Sequence, residues 1–229
     1  MKCEVLGDTA FPLVKVQLQK GEVIKAEAGA MVAMSTNLKL TGKADGGVGK
    51  AIARMFSGES FFMQNIEAEN GPGWVLLASP LPGETTAVEV KPGQDLRVQK
   101  GSFLACTPDI EVSTKAQGLA KGLFSGEGFF IVNITGQGTV FLSTYGSIYP
   151  MELKDGETIH VDNGHLVAWD ASMRYEIVKG ASGWISSATS GEGLGCRFEG
   201  PGRIYIQTRN PAALGAWIFP FLPIQRAAG

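Results

Sequence analysis

The sequence of 229 residues has few of the side chains on which metal sites and disulfide frameworks depend, with two histidines and three cysteines. The cysteines form no Cys-x-x-Cys pair, and an odd number cannot close into a complete set of disulfides. We therefore expect a reduced compartment and predict a cytoplasmic location. The first residues contain no apolar run as long as a signal-peptide core, and Glu4 and Asp8 argue against a mitochondrial transit peptide.

An excess of one charge and a long hydrophobic run are also missing. The formal net charge is -2, and Lys and Arg are interspersed with Asp and Glu. Because nucleic-acid-binding proteins usually carry a basic stripe that neutralises phosphates, we expect no nucleic-acid partner. The apolar segment 211–224 is too short and too often interrupted by proline for a transmembrane helix, which needs about 20 apolar residues.

The most prominent feature that is present is an internal repeat. FSGESFF at 56–62 returns as FSGEGFF at 124–130 and in weaker form as TSGEGLG at 189–195. Three further segments align without a gap: GEVIKAEAGAMVAMS, GQDLRVQKGSFLACT and GETIHVDNGHLVAWD, which begin at Gly21, Gly93 and Gly156. The Ser-Gly-Glu motifs are 68 and 65 residues apart, longer than the roughly 20 to 50 residues of solenoid repeats.

This spacing predicts one compact domain over residues 1–229 with internal pseudo-threefold symmetry. The approximate limits are 21–92, 93–155 and 156–210 for the three β-rich repeats and 211–229 for an apolar C-terminal tail.

Short alternating or apolar runs, closed by Gly, Pro, Asn or Asp, come about every ten residues and predict β-strands. The clearest runs are 14–18, 38–40, 74–77, 88–90, 140–142, 175–178 and 204–206. The predicted fold class is therefore all-β, of the β-sandwich type. Brief helical connectors are predicted at 48–56 and 117–124.

The repeat also acts as an alignment within one molecule, against which candidate sites can be compared. Cys106 aligns with Met34 and Trp169, and Cys196 aligns with Met63 and Ile131. Both thiols therefore lie at positions that are apolar in the other repeats. We predict that they are buried and act as small hydrophobes rather than as reactive groups.

The segment HVDNGH places His160, Asp162 and His165 within six residues and raises the hypothesis of a metal site. His160 aligns with Lys25 and Arg97, which we interpret as outward-facing strand positions, while Ile159 and Val161 face inward. The interpretation as a solvated strand face is favoured. We expect no metal, no cofactor and no catalytic residue.

The three Ser-Gly-Glu motifs place Glu59, Glu127 and Glu192 at equivalent positions. A ring of carboxylates is able to bind a cation, which makes these residues candidates for a ligand or cation site. The favoured interpretation is structural, since Ser and Gly suit a turn between a helix and a strand.

Three interpretations remain open for the apolar tail. It covers an edge or core of its own domain, docks on another subunit, or inserts shallowly at a membrane interface, where Trp and Phe are favoured. Trp217, Phe219 and Phe221 are the candidate contact residues.

The FSGEGFF motif, the glycine-rich connector before it, the GSFLACT pattern and the apolar tail together resemble the bacterial and archaeal branch of the altered-inheritance-of-mitochondria family. That resemblance implies a fold similar to the tryptophan RNA-binding attenuation protein, a shortened double-stranded β-helix, with a tendency to self-associate. It also implies a non-enzymatic role in a membrane-associated assembly, and it supplies no catalytic residues.

Two classes of function follow. The favoured one is a scaffold or adaptor that self-associates, with a membrane surface or a membrane protein as a further partner. The alternative is a small-ligand or metal-binding barrel with a pocket between repeats, including the case of an enzyme.

Overall fold

The protein is described by a computed structural model that covers residues 1–7, 10–42, 63–114, 131–178 and 195–222. Within these ranges the chain forms nineteen strands, one short α-helix and three 3-10 helices. All strands pair antiparallel in their ladders. The predicted all-β fold class is confirmed.

After β1 (Lys2–Leu6), the strands fall into three consecutive sets of six. Set 1 contains β2 (Leu13–Leu18), β3 (Val23–Glu27), β4 (Met31–Met34), β5 (Lys39–Gly42), β6 (Met63–Glu67) and β7 (Gly73–Leu77). Set 2 contains β8 (Thr85–Val90), β9 (Leu96–Gln99), β10 (Phe103–Cys106), β11 (Ile110–Thr114), β12 (Ile131–Gly136) and β13 (Gly138–Ser143). Set 3 contains β14 (Ile148–Leu153), β15 (Thr158–Asp162), β16 (Leu166–Asp170), β17 (Arg174–Val178), β18 (Gly195–Glu199) and β19 (Gly202–Gln207).

The remaining elements are short helices. The helix α1 (Pro211–Ile218) follows the last strand, and the 3-10 helices are Lys100–Ser102, Asn163–His165 and Phe219–Phe221.

Neighbouring sets share their sheets. One six-stranded sheet has the order β5-β6-β3-β10-β13-β8, so it joins three strands of set 1 to three of set 2. The other has the order β11-β12-β9-β16-β19-β14 and joins sets 2 and 3 in the same way. The end sheets are β1-β2-β7-β4, which contains β1 and three strands of set 1, and β15-β18-β17, which contains three strands of set 3. The chain is thus an array of shared sheets with half a sheet at each end, while the threefold axis stays a prediction.

Three hydrophobic cores lie along this array. Core 1 is built from set 1 together with Leu104, Ala105 and Phe141 of set 2. Core 2 is built from set 2 together with Val167 and Ala168 of set 3 among others. Core 3 contains residues of sets 2 and 3 and, among the described residues, none of set 1. Each core except the last is therefore completed by the set that follows it.

The same turn begins each of the three aligned segments. Gly21, Gly93 and Gly156 have φ angles of 84°, 79° and 77°. Side chains other than glycine rarely adopt this left-handed conformation. The turn explains why glycine stands at this position in all three repeats.

A second shared feature is a polar side chain at the C-terminal end of the third strand of each set, at Ser35, Thr107 and Asp170. Ser35 Oγ accepts a hydrogen bond of 3.0 Å from Trp74 N, and Thr107 Oγ1 accepts one of 3.0 Å from Thr139 N. In set 3, Asp170 Oδ2 accepts one of 2.8 Å from the Arg203 backbone N. The same backbone position is thus satisfied three times by different side chains.

The strand predictions from the sequence are confirmed. Each of the seven predicted runs overlaps a strand, and Val14, Val16 and Leu18 alternate as buried residues along β2. The predicted helical connectors, 48–56 and 117–124, lie outside the described residues.

Candidate functional site

The junctions between strand sets are formed by short ladders in equivalent registers. At the first junction, β3 pairs with β10 through Ala26 opposite Ala105 and Lys25 opposite Cys106. At the second, β9 pairs with β16 through Val98 opposite Ala168, Arg97 opposite Trp169 and Leu96 opposite Asp170. In the internal sequence alignment, the first two pairs of the second junction occupy the same positions as the two pairs of the first.

A β-bulge lets β10 and β16, the third strands of sets 2 and 3, each contribute to two cores. In β10 the register shifts between Phe103 and Ala105, and in β16 it shifts between Leu166 and Ala168. As a result Leu104 and Ala105 pack in core 1, whereas Phe103 and Cys106 pack in core 2. A bulge of this kind turns two successive side chains to one face of the sheet.

Set 3 repeats this division. Val167 and Ala168 pack in core 2, the core of the preceding set, whereas Leu166 and Trp169 pack in core 3, their own. The bulged pair of the third strand therefore covers the core before it at both internal junctions.

The equivalent strand of set 1, β4, has the same bulge, but no described strand set precedes it. In β4 the register shifts between Met31 and Ala33, and Met31 and Met34 pack against core 1. Val32 is 56% exposed, whereas the aligned Leu104 and Val167 are 1% and 0% exposed. Within the described chain, β4 ends its sheet and pairs with β7 alone.

The complementary edge is β15, which ends the last sheet. The strands aligned with it, β3 and β9, each pair with the third strand of the next set, whereas in the described chain β15 pairs with β18 alone. Thr158, His160 and Asp162 are exposed and Ile159 is half-buried. The outward parity predicted for His160 and the inward parity of Val161 are confirmed.

A long side chain on the second strand of the set, β3 or β9, reaches into the next set at both internal junctions. Lys25 Nζ donates hydrogen bonds of 2.7 Å to Pro108 O and 2.8 Å to Ile110 O. The Arg97 guanidinium lies 5.1 Å from the centre of the Tyr175 ring, a cation–π contact. The residue aligned with Lys25 and Arg97 on β15 is His160.

The prediction of buried cysteines is confirmed for Cys106 and Cys196, which are both fully buried. Burial raises the pKa of each of these two thiols to about 12. The thiolate is the nucleophilic form, so these thiols are poor nucleophiles at neutral pH. Cys3 is half-buried, and burial raises the pKa of its thiol as well.

The residues of the HVDNGH segment point to separate partners. His165 Nδ1 lies 2.8 Å from Gln207 O, and Asp162 Oδ1 accepts a hydrogen bond of 2.7 Å from Gly164 N. His160 lies opposite Arg197 in the β15–β18 ladder. Among the described residues, no three His, Cys, Asp or Glu side chains are grouped closely enough to hold a metal ion.

The candidate residues Glu59, Glu127 and Glu192 lie outside the described residues. The hypothesis of a shared carboxylate or cation site at the Ser-Gly-Glu motifs therefore stays a prediction.

A groove of about 760 Å³ lies beside the first junction, and Met1, Glu22, Thr107 and Asp109 are among its lining residues. The N-terminal amino group donates a hydrogen bond to Glu22 Oε1, and Gln19 N donates one of 2.7 Å to Glu22 Oε2. These bonds lower the pKa of the Glu22 carboxyl. The Glu22 carboxylate is held as an ionised structural group.

Sequence reasoning missed Glu27, which has an unusual carboxyl at the first junction. Burial raises the pKa of this carboxyl to about 7, against a smaller lowering by Lys100. The aligned residues are Gln99 and Asp162, so the alignment alone indicates only that the position is polar.

The described part of the apolar tail is largely exposed. Trp217, Phe219 and Phe221 are 66%, 61% and 74% exposed, and none of the described residues 211–222 is buried. The helix begins at the Asn210 cap, whose Oδ1 accepts hydrogen bonds of 2.9 Å and 3.3 Å from Ala212 N and Ala213 N. This arrangement goes against the interpretation that the described part of the tail covers its own core. No described helix has the length and apolar character needed to cross a membrane.

The fold defines an all-β protein built from strand sets that share their sheets, with β4 and β15 as the edges of the first and last sheets. The chain belongs to the family described as Mitochondrial biogenesis AIM24, whose model matches residues 3–209. The predicted family is confirmed.

Two relatives from Streptococcus pyogenes support this assignment. An uncharacterized protein of serotype M6 is 36% identical over 221 residues, which is 93% of this chain and 88% of the relative. A crystal structure of a Streptococcus pyogenes protein, a structural-genomics target, has a TM-score of 0.81 and 32% identity, and the match covers 96% of this chain and 99% of that one.

Proposed function

We propose that this protein is a non-enzymatic scaffold that assembles with further copies of itself through the incomplete sheets at its two ends. The observation that carries the proposal is the exposure of Val32, because the aligned Leu104 and Val167 are completely buried by the neighbouring set. The family assignment and the absence of a described metal cluster are compatible with this function.

Two kinds of unsatisfied surface favour association between copies: unpaired strand edges and an exposed apolar side chain. Strand edges carry backbone N–H and C=O groups that readily pair with another chain. Full burial of a valine-sized side chain contributes about 1.5–3 kcal/mol, so the exposed part of Val32 adds about 1 kcal/mol or more to such a pairing. Together they favour association between copies.

Sedimentation velocity over a range of concentrations tests the proposal. The unmodified protein is expected to associate, and Val32→Lys is expected to weaken association by at least about tenfold, because a lysine charge cannot enter an apolar core without a partner. Val5→Lys is the matched control, since Val5 is an exposed valine on β1, the opposite edge of the same sheet. Equal association of the Val32→Lys variant and the unmodified protein would contradict the proposal.

The tail favours a second contact, with a membrane surface. We propose that residues 211–222 bind peripherally at a lipid interface, since they contain no charged residue and expose Trp217, Phe219 and Phe221. This contact would make the scaffold a membrane-peripheral protein in the cytoplasm.

Co-sedimentation with liposomes of neutral phosphatidylcholine checks this contact. Trp217→Ser with Phe221→Ser is expected to lower the bound fraction by at least about fivefold, since each aromatic ring contributes buried apolar area. Tyr149→Ser, at an exposed aromatic residue on β14, is the control. If the double variant binds as well as the unmodified protein, the tail is not a membrane contact.

A further inference from the structure

In the described chain β4 and β15 each pair on one side only, unlike the strands aligned with them. These two strands, called the open edges, also determine which strand of one copy meets which strand of the next, and in what register. We propose that β15 of one copy pairs antiparallel with β4 of the next, in the register of the internal junctions, an inference that rests on the proposed self-association. Each interface would then join set 3 of one copy to set 1 of its neighbour, as set 1 joins set 2 within the chain.

The register follows from the two junctions that the structure contains. Lys25 opposite Cys106 and Arg97 opposite Trp169 are the same aligned pair. Carried to the open edges, that alignment places His160 opposite Met34. The pair Ala26–Ala105 and the pair Val98–Ala168 likewise place Val161 opposite Ala33.

The hydrophobic cores support the same assignment. Both internal bulged pairs, Leu104–Ala105 and Val167–Ala168, pack in the core of the preceding set. Val32 and Ala33 are the third such pair, and among the described residues neither belongs to a core. The core that no described set completes is core 3, so Val32 and Ala33 of one copy fit against core 3 of another.

The side chains of β4 are oriented in a way that suits this contact. Met31 and Met34 pack against core 1 of their own chain, which leaves the bulged pair turned outward. On the other side, Val161 belongs to core 3 and Ile159 packs against it. Apolar side chains therefore meet on one face of the proposed ladder.

The pairing of two different edges, β4 with β15, determines the type of assembly. Each copy has one β4 edge and one β15 edge, which differ in sequence, so the contact is heterologous. Heterologous contacts produce rings when the rotation closes and open filaments when it does not. Pairing of β4 with β4, or of β15 with β15, would instead stop at dimers.

Cysteine cross-linking between two variants tests the register. Met34→Cys and His160→Cys are made on separate chains in a Cys3→Ser background, mixed and oxidised, so that only contacts between copies can join them. Cys106 and Cys196 are fully buried and remain in place. We expect at least about tenfold more disulfide dimer from this mixture than from either variant alone.

The matched control pairs Met34→Cys with Thr158→Cys. Thr158 is exposed on the same strand face, two residues out of register, and such diagonal positions lie about 7–8 Å apart. Disulfides rarely bridge that distance, so this mixture is expected to give little product. Ala33→Cys mixed with Val161→Cys is a second in-register pair if Met34→Cys lowers the melting temperature.

Other outcomes would overturn the proposal. Equal dimer from Met34→Cys alone would indicate a β4–β4 contact. A chain that carries both Met34→Cys and His160→Cys and closes only on itself, at the mass of one chain, would indicate an internal ring.

The same samples separate this inference from the proposed function. If the unmodified protein associates and Val32→Lys prevents it, but neither in-register pair forms a cross-link, the scaffold proposal stands and the register is wrong. If the unmodified protein sediments as a monomer at every concentration, both are wrong.

Discussion

Glu27 is the residue whose protonation has the clearest consequence for the stability of the fold. Its pKa is raised from 4.5 to about 7 by burial, so the folded protein binds a proton between these values that the unfolded chain does not. Stability from this group is therefore fully present below pH 4.5 and is lost as the pH rises through 7.

Glu27→Gln is expected to remove this dependence. Because the carboxyl is partly solvated, we expect the variant to be more stable than the unmodified protein by about 1–2 kcal/mol at pH 8, with a smaller difference at pH 4.5. Gln99 occupies the aligned position in set 2, so the substitution fits the fold. Urea denaturation at both pH values measures the difference, and a gap that does not change with pH would argue against a buried carboxyl.

At the residue scale the sequence predicted burial well where the three repeats agree in polarity. Cys106 and Cys196 align with apolar residues and are buried. Val32, Leu104 and Val167 are all aliphatic, yet only the last two are covered. Residue type alone could not reveal this difference, because it depends on whether another strand set precedes the residue in space.

At the scale of elements, β4 and β10 are equivalent strands of sets 1 and 2 in two different environments. Leu104→Ala in β10 is expected to destabilise the protein by about 2–5 kcal/mol, the usual range for a fully buried leucine. Val32→Ala in β4 is expected to change the stability of dilute protein by less than about 0.5 kcal/mol, as for other surface positions.

Thermal or urea unfolding at low protein concentration compares the two variants. Val167→Ala in β16 provides a valine at the same aligned position that is fully buried. A loss for Val32→Ala as large as that for Val167→Ala would mean that β4 is covered within a single chain.

Elements were predictable from the sequence, and their partners were not. Alternating runs reveal strands and their inner faces, as along β2. Pairing such as β3 with β10 joins residues about 80 positions apart and leaves no local pattern. The helix α1 was missed although Asn210 and Pro211, a cap and a first-turn proline, are its sequence signal.

At the scale of the whole molecule, the three strand sets form a row in which neighbouring sets share sheets and cores. Because each set completes the core of the set before it, any finite row of sets leaves one strand uncovered and one core incomplete. This property follows from the sharing of sheets, which the sequence repeat alone does not indicate. It connects the fold of one chain to the assembly of several.

The mass of the unmodified protein in solution is the most direct test of assembly through β4 and β15. Sedimentation velocity over about a hundredfold range of concentration is expected to show species above the 24.2 kDa chain, with a weight-average mass that rises with concentration. A single 24.2 kDa species throughout that range would contradict assembly through β4 and β15.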